Sequence, residues 1–151
     1  TVVVLYCGYV GGTLVFRRTS RPLWGGTPQL DATVRVTQPR VENLASSRGA
    51  ELTATNVSGE SVALAASMGG ELSVSGTCGT LDAAVSMGGT IRAEGFQCQN
   101  ANIAASMGGD ARVYAANSFV AAASMGGSVN VAGGGRGDDI ATSMGGSVES
   151  N

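Results

Sequence analysis

The sequence predicts an all-β fold, a single-stack β-solenoid of about six coils, and three observations carry that reading. Ser-Met-Gly-Gly occurs five times, at 67–70, 86–89, 106–109, 124–127 and 143–146, so the methionines are spaced 19, 20, 18 and 19 residues apart. A degenerate copy, Ser47-Arg48-Gly49-Ala50, lies 20 residues before the first. A period near 19 is too short for a two-helix repeat and suits one coil of a solenoid. Between the corners the residues alternate in character, as strands with one face buried must.

The non-repeat start comes first in the chain. Residues 1–16 (TVVVLYCGYVGGTLVF) are apolar and are followed by Arg17-Arg18. The chain starts at Thr1 without an initiator Met, as a processed or trimmed chain does. Sixteen residues fall short of the ~20 that a spanning helix needs, and three glycines interrupt them. A signal peptide would carry its charge before the apolar stretch. The segment therefore reads as a β arm; a trimmed membrane anchor is the rival, and any membrane contact is confined to residues 1–16. Residues 17–33 form a turn-rich connector with Pro22 and Pro28, and Val34-Arg35-Val36-Thr37 alternates as a strand that Pro39 ends. On this reading residues 1–43 are an N-terminal arm and connector, and 44–151 are the solenoid.

Counting from each Met (or Arg48) aligns the coils. Four residues earlier stand Leu44, Leu64, Ala83, Ile103, Ala121 and Ile140; two earlier stand Ser46, Ala66, Val85, Ala105, Ala123 and Thr142. After the glycines, Leu52, Leu72, Ile91, Ala111, Val129 and Val148 form a third column. Varying in volume but mostly apolar, these are the expected core. The opposite parity holds two invariant columns. One is Ala45, Ala65, Ala84, Ala104, Ala122 and Ala141, and the other is Ser47, Ser67, Ser86, Ser106, Ser124 and Ser143.

Each coil thus reads as a strand into Ser-Met, a Gly-Gly corner, a second strand and a variable loop, the loops being 56–60, 76–80, 95–100, 115–118 and 133–137. Gly-Gly supplies a positive-φ turn and lets coils approach without Cβ clashes. At ~4.8 Å per coil the stack is a rod roughly 25–30 Å long, right-handed as parallel crossovers are.

Stretches such as Asn56-Val57-Ser58-Gly59-Glu60-Ser61-Val62 and Ser67-Met68-Gly69-Gly70-Glu71-Leu72 resemble the GIN-type adhesin β-solenoid domains of bacterial envelope and surface proteins. The resemblance covers about residues 44–151. It implies a surface or extracellular location more than a mechanism.

Cys78 and Cys98 each lie nine residues before the Met of their own coil, hence at one place on adjacent coils. Their Cα atoms are expected ~5 Å apart, within reach of a disulfide and so of an oxidising compartment. A stacked pair of reduced thiols is the alternative. Cys7 is left over, either buried or free to pair between subunits.

The Met column is expected to point inward, where a thioether fills irregular space, rather than to form a soft copper(I) site. Arg136-Gly137-Asp138 matches a cell-attachment tripeptide, but a glycine loop needs no such reason. That loop is no phosphate cradle, since no Lys-Ser/Thr follows it. With no His and no serine beside a candidate base, no catalytic residue, cofactor or metal site is expected. A net charge of −2 gives no case for nucleic acid.

The signs are segregated. Residues 1–48 hold six Arg against Asp31 and Glu42, and 49–151 hold three Arg against nine acids. Charged residues are only 13% of the chain, about half the ~25% usual in soluble domains. A surface this poor in charge suits one covered by partners.

The functional expectation is a non-enzymatic, self-assembling subunit of a surface filament or larger assembly; the alternative is a monomeric adhesin-type module acting through its loops. The interface falls on Ala65, Ala84, Ala104 and Ala122 with Ser67, Ser86, Ser106 and Ser124. The bland alternative is that small residues merely suit a bend in the sheet. Val2, Val3, Val4 and Leu5 head the arm, which is expected to dock on a neighbouring subunit; folding back over its own first coil is the alternative. Glu42 and Arg48 at one end, with Asp138 and Thr142 at the other, read as polar caps against bare end-to-end stacking.

Overall fold

The computed structural model describes residues 5–10, 13–18, 33–36 and 42–151, with side chains from 42 onward. Among the described residues, eleven strands make one continuous sheet that winds on itself. β1 (Leu5–Val10) and β2 (Thr13–Arg18) form an antiparallel hairpin, and β2 meets β4 (Asn43–Ser47) of the same chain at Thr13↔Asn43. Val2, Val3 and Val4 lie outside the described residues. Every remaining pairing is parallel, as a stack of like coils requires. β3 (Thr33–Val36) lies beside β5 (Glu51–Ser67) in the coil register, with Val34 opposite Leu52.

β5, β6 (Glu71–Ser86), β7 (Thr90–Ala105) and β8 (Asp110–Ala123) are each nearly a full coil. Four of the expected loops therefore do not exist as loops. Residues 56–60, 76–80, 95–100 and 115–118 are strand, paired to the coils beside them. The physical reason is hydrogen-bond satisfaction: a backbone kept in the ladder needs no other partner. Unequal coil length is absorbed instead by register shifts, between Ala54 and Val57, Ser73 and Gly76, and Ala93 and Gln97. The strands bend there, with positive φ at Asn56 and Gly76. Of the five expected loops only the last leaves the ladder, at 133–135 between β9 (Ser128–Ala132) and β10 (Arg136–Thr142), and Arg136, Gly137 and Asp138 begin β10.

The three expected core columns are buried through the first five coils, from Leu44, Leu64 and Leu72 to Ala123 and Val129. Ser46, the polar member, is buried with its hydroxyl donating to the Ala50 carbonyl. Phe96 and Phe119 fill the third side of the coil. At ~1.5–3 kcal/mol per large apolar side chain, this stacked interior is the main source of stability. The last coil is less buried than the others. Ile140 is 49% exposed, Thr142 is exposed, and Val148 on β11 (Ser147–Ser150) is only partly buried.

The corners are two-residue turns. The Gly70 amide donates to the Ser67 carbonyl at 2.9 Å, and the same bond closes the turns ending at Gly89, Gly109, Gly127 and Gly146. Both central residues have positive φ, 46–50° at the Met and 72–79° at the first glycine, the pattern of a type I′ turn. The second glycine has a different duty. A Cβ on Gly70 would stand 2.7 Å from the Ser46 carbonyl of the coil below, so the glycine is there for close approach.

Candidate functional site: an alanine face and a methionine ridge

On the strand entering each corner the alanines stack in register, Ala45 on Ala65, Ala65 on Ala84, Ala84 on Ala104 and Ala104 on Ala122, with Ala141 on Ala122. All six are exposed, while Ser67, Ser86, Ser106 and Ser124 beside them are half-buried. Alternation along the strand is the cause: Leu64 and Ala66 face the core, so Ala65 between them cannot. Ala45, Ala65, Ala84 and Ala104 floor an open trough of about 470 Å³, with Asn43, Asp82, Asn102 and Val120 along one side. Asn102 Nδ2 donates to Asp82 Oδ1 at 2.8 Å across adjacent coils, tying up that carboxylate.

Two ion pairs lie on the strand leaving the corner. Arg92 pairs with Glu71 of the coil below at 2.7 Å, and Arg112 sits 3.7 Å from Asp110. Both pairs are solvent-exposed, so each contributes at most ~1 kcal/mol. They lie away from the alanine column, which Asp82 alone among charged residues flanks in the trough.

The methionines are not core. Met68, Met87, Met107 and Met125 are 45–47% exposed and Met144 is 74% exposed. Strand parity does not carry through the corner, because a type I′ turn places its first central residue at the tip, outside both strands. Arg48 occupies the same tip in the first coil and is exposed as well. It is therefore not a polar residue in a core column, and Glu42 is likewise exposed. Ser-X-Gly-Gly between two apolar strands was the available signal, since X-Gly is the favoured centre of such a turn. The turns are themselves stacked by hydrogen bonds. The first-glycine amide of each coil donates to the Met carbonyl of the next: Gly69 to Met87 at 3.3 Å, Gly88 to Met107 at 3.2 Å, Gly108 to Met125 at 3.1 Å and Gly126 to Met144 at 3.2 Å. The five side chains form one ridge along the solenoid edge.

Cys78 and Cys98 are directly opposed on β6 and β7 and joined by a disulfide, with Cα atoms 4.4 Å apart. Among the described residues there is no cluster of three or more His, Cys, Asp or Glu that could hold a metal ion. Also among them, no helix is long and apolar enough to cross a membrane.

The structure is thus a parallel β-solenoid with glycine corners, a disulfide-bridged side and one face of stacked alanines. Residues 8–135 match the family described as "Putative auto-transporter adhesin, head GIN domain", and the chain belongs to that family. The match starts 36 residues before Leu44 and ends with the loop before β10. No curated protein and no solved structure gives a significant match to the chain.

Proposed function

We propose that this adhesin head domain is a structural module that self-associates through its alanine–serine face, as a subunit of a surface filament or larger assembly. The observation that supports this reading most is the in-register, outward Ala column, unbroken by a single charged residue over six coils. Small side chains lose little rotamer entropy when covered, so such a face is inexpensive to bury. The adhesin family and the Cys78–Cys98 bridge both support a surface or extracellular location.

The size of the face sets the expected strength. Six coils at ~4.8 Å and about five residues at ~3.3 Å give roughly 450 Å² per partner. A standard interface covers about 800 Å² per partner. A single face-to-face contact is therefore weak, and an assembly built on it gains its strength from many copies held together on a surface.

Ala84→Arg tests the reading. Position 84 points outward, so the variant folds, and a guanidinium in the centre of the face blocks its burial. Sedimentation of the wild type at increasing concentration is expected to rise above the 15.0 kDa monomer, with regular fibres or rings in negative stain, and Ala84→Arg is expected to remain monomeric. Equal assembly of the variant would remove the face from the interface. A wild type that stays a compact monomer at every concentration would favour a single-copy binding module instead.

A further inference from the structure

We infer that the methionine ridge binds soft monovalent metal ions, copper(I) or silver(I), with each ion held between thioethers of neighbouring coils. The core-filling role that would ordinarily account for Met is absent, since all five side chains are at least 45% exposed. Packing does not require them. Nor does local conformation: Met has φ of 46–50° at every corner, a region that Asn, Asp or Gly adopts with less strain. The core columns vary freely among Leu, Ile, Val and Ala, yet the tip is Met in five coils of six. What is retained is therefore the side chain, at a place where it contributes nothing evident to folding.

The geometry suits two-coordinate binding. Hydrogen bonds of 3.1–3.3 Å between successive turns hold the rungs in a ladder, whose spacing is that of parallel strands, ~4.8 Å. With the zinc–thiolate distance of about 2.3 Å as a lower guide to the metal–sulfur bond, two sulfurs on opposite sides of one ion stand at least about 4.6 Å apart. Each rung is followed by a glycine and preceded by a serine, half-buried in the first four rungs and exposed in the last, so nothing crowds the sulfurs, and three rotatable bonds let each thioether turn toward its neighbour. Thioethers carry no charge and select soft ions over calcium, magnesium or zinc. Arg48 at the tip of the first coil ends the ladder on that side, because a guanidinium next to Met68 repels a bound cation.

The test uses the full chain with its methionine methyl groups carbon-13 labelled, titrated with silver nitrate in chloride-free buffer and followed by NMR. The methyl signals of Met87, Met107 and Met125 are expected to shift together near one equivalent of silver. Two double variants, each keeping three methionines, then separate paired from independent binding. Met68→Leu/Met144→Leu leaves three adjacent rungs and is expected to bind silver as the wild type does. Met87→Leu/Met125→Leu leaves three rungs with no neighbours and is expected to lose at least tenfold in affinity. All four positions are exposed turn tips, and circular dichroism checks that both variants fold. Equal affinity in the two variants, or unmoved methyl signals in the wild type at tenfold excess silver, overturns the inference.

Discussion

Cys78 and Cys98 are register partners on adjacent strands, 20 residues apart in sequence and 4.4 Å apart at Cα. The bridge therefore joins two coils that are already hydrogen-bonded side by side. Its contribution comes mainly from the unfolded chain, where closing a loop of this length is worth about 3 kcal/mol in the chain-entropy picture.

Removing the bridge should accordingly weaken the fold without abolishing it. Cys78→Ala/Cys98→Ala is expected to lose about 2–3 kcal/mol in urea unfolding, with an unchanged β-sheet spectrum. Both cysteines are buried, at 8% and 1% exposure, so mild reductant should act slowly on the native protein. A non-reduced digest that yields free thiols at both positions would remove the bridge and the compartment argument built on it.

The two glycines of each corner should respond differently to the same methyl group. A Cβ on Gly88 meets nothing within 4 Å, and only its φ of +72° opposes alanine, so Gly88→Ala should cost about 1–2 kcal/mol. A Cβ on Gly89 would lie 2.6 Å from the Ala66 carbonyl oxygen and 2.9 Å from the Ser67 amide. Gly89→Ala must push two coils apart and is expected to cost at least about 3 kcal/mol. Equal losses in thermal unfolding would contradict the division of labour assigned to the pair.

Met87→Asn should stabilise the protein. Asn-Gly is the preferred centre of a type I′ turn, and Met87 makes the turn at a φ of 50°. Its side chain lies outside the core, so the exchange relieves strain without opening a cavity. The gain is expected to be about 0.5–1 kcal/mol, or roughly 1–4 °C in Tm for a chain of this size. A lower Tm would mean that the ridge side chains pack on one another strongly enough to outweigh their backbone strain.

Much of this architecture was legible in the chain itself. The 18–20-residue spacing of Ser-Met-Gly-Gly set the number of coils, and period-two alternation separated Leu64 and Ala66 from Ala65. Equal distance from the corner was enough to pair Cys78 with Cys98. Each of these is a matter of register, and in a stack of parallel coils register is a direct function of sequence position. The side of the chain taken by the methionines was not legible in that way. Inward and outward hold only along a strand, and at Ser-Met-Gly-Gly two residues of positive φ turn the chain over, moving the thioethers from the expected core to an exposed edge. The same holds for residues 56–60 and 76–80, whose Gly, Ser and Asn suggest loops in isolation. Tertiary structure made them strand, because the coils beside them supply backbone partners that an isolated segment lacks.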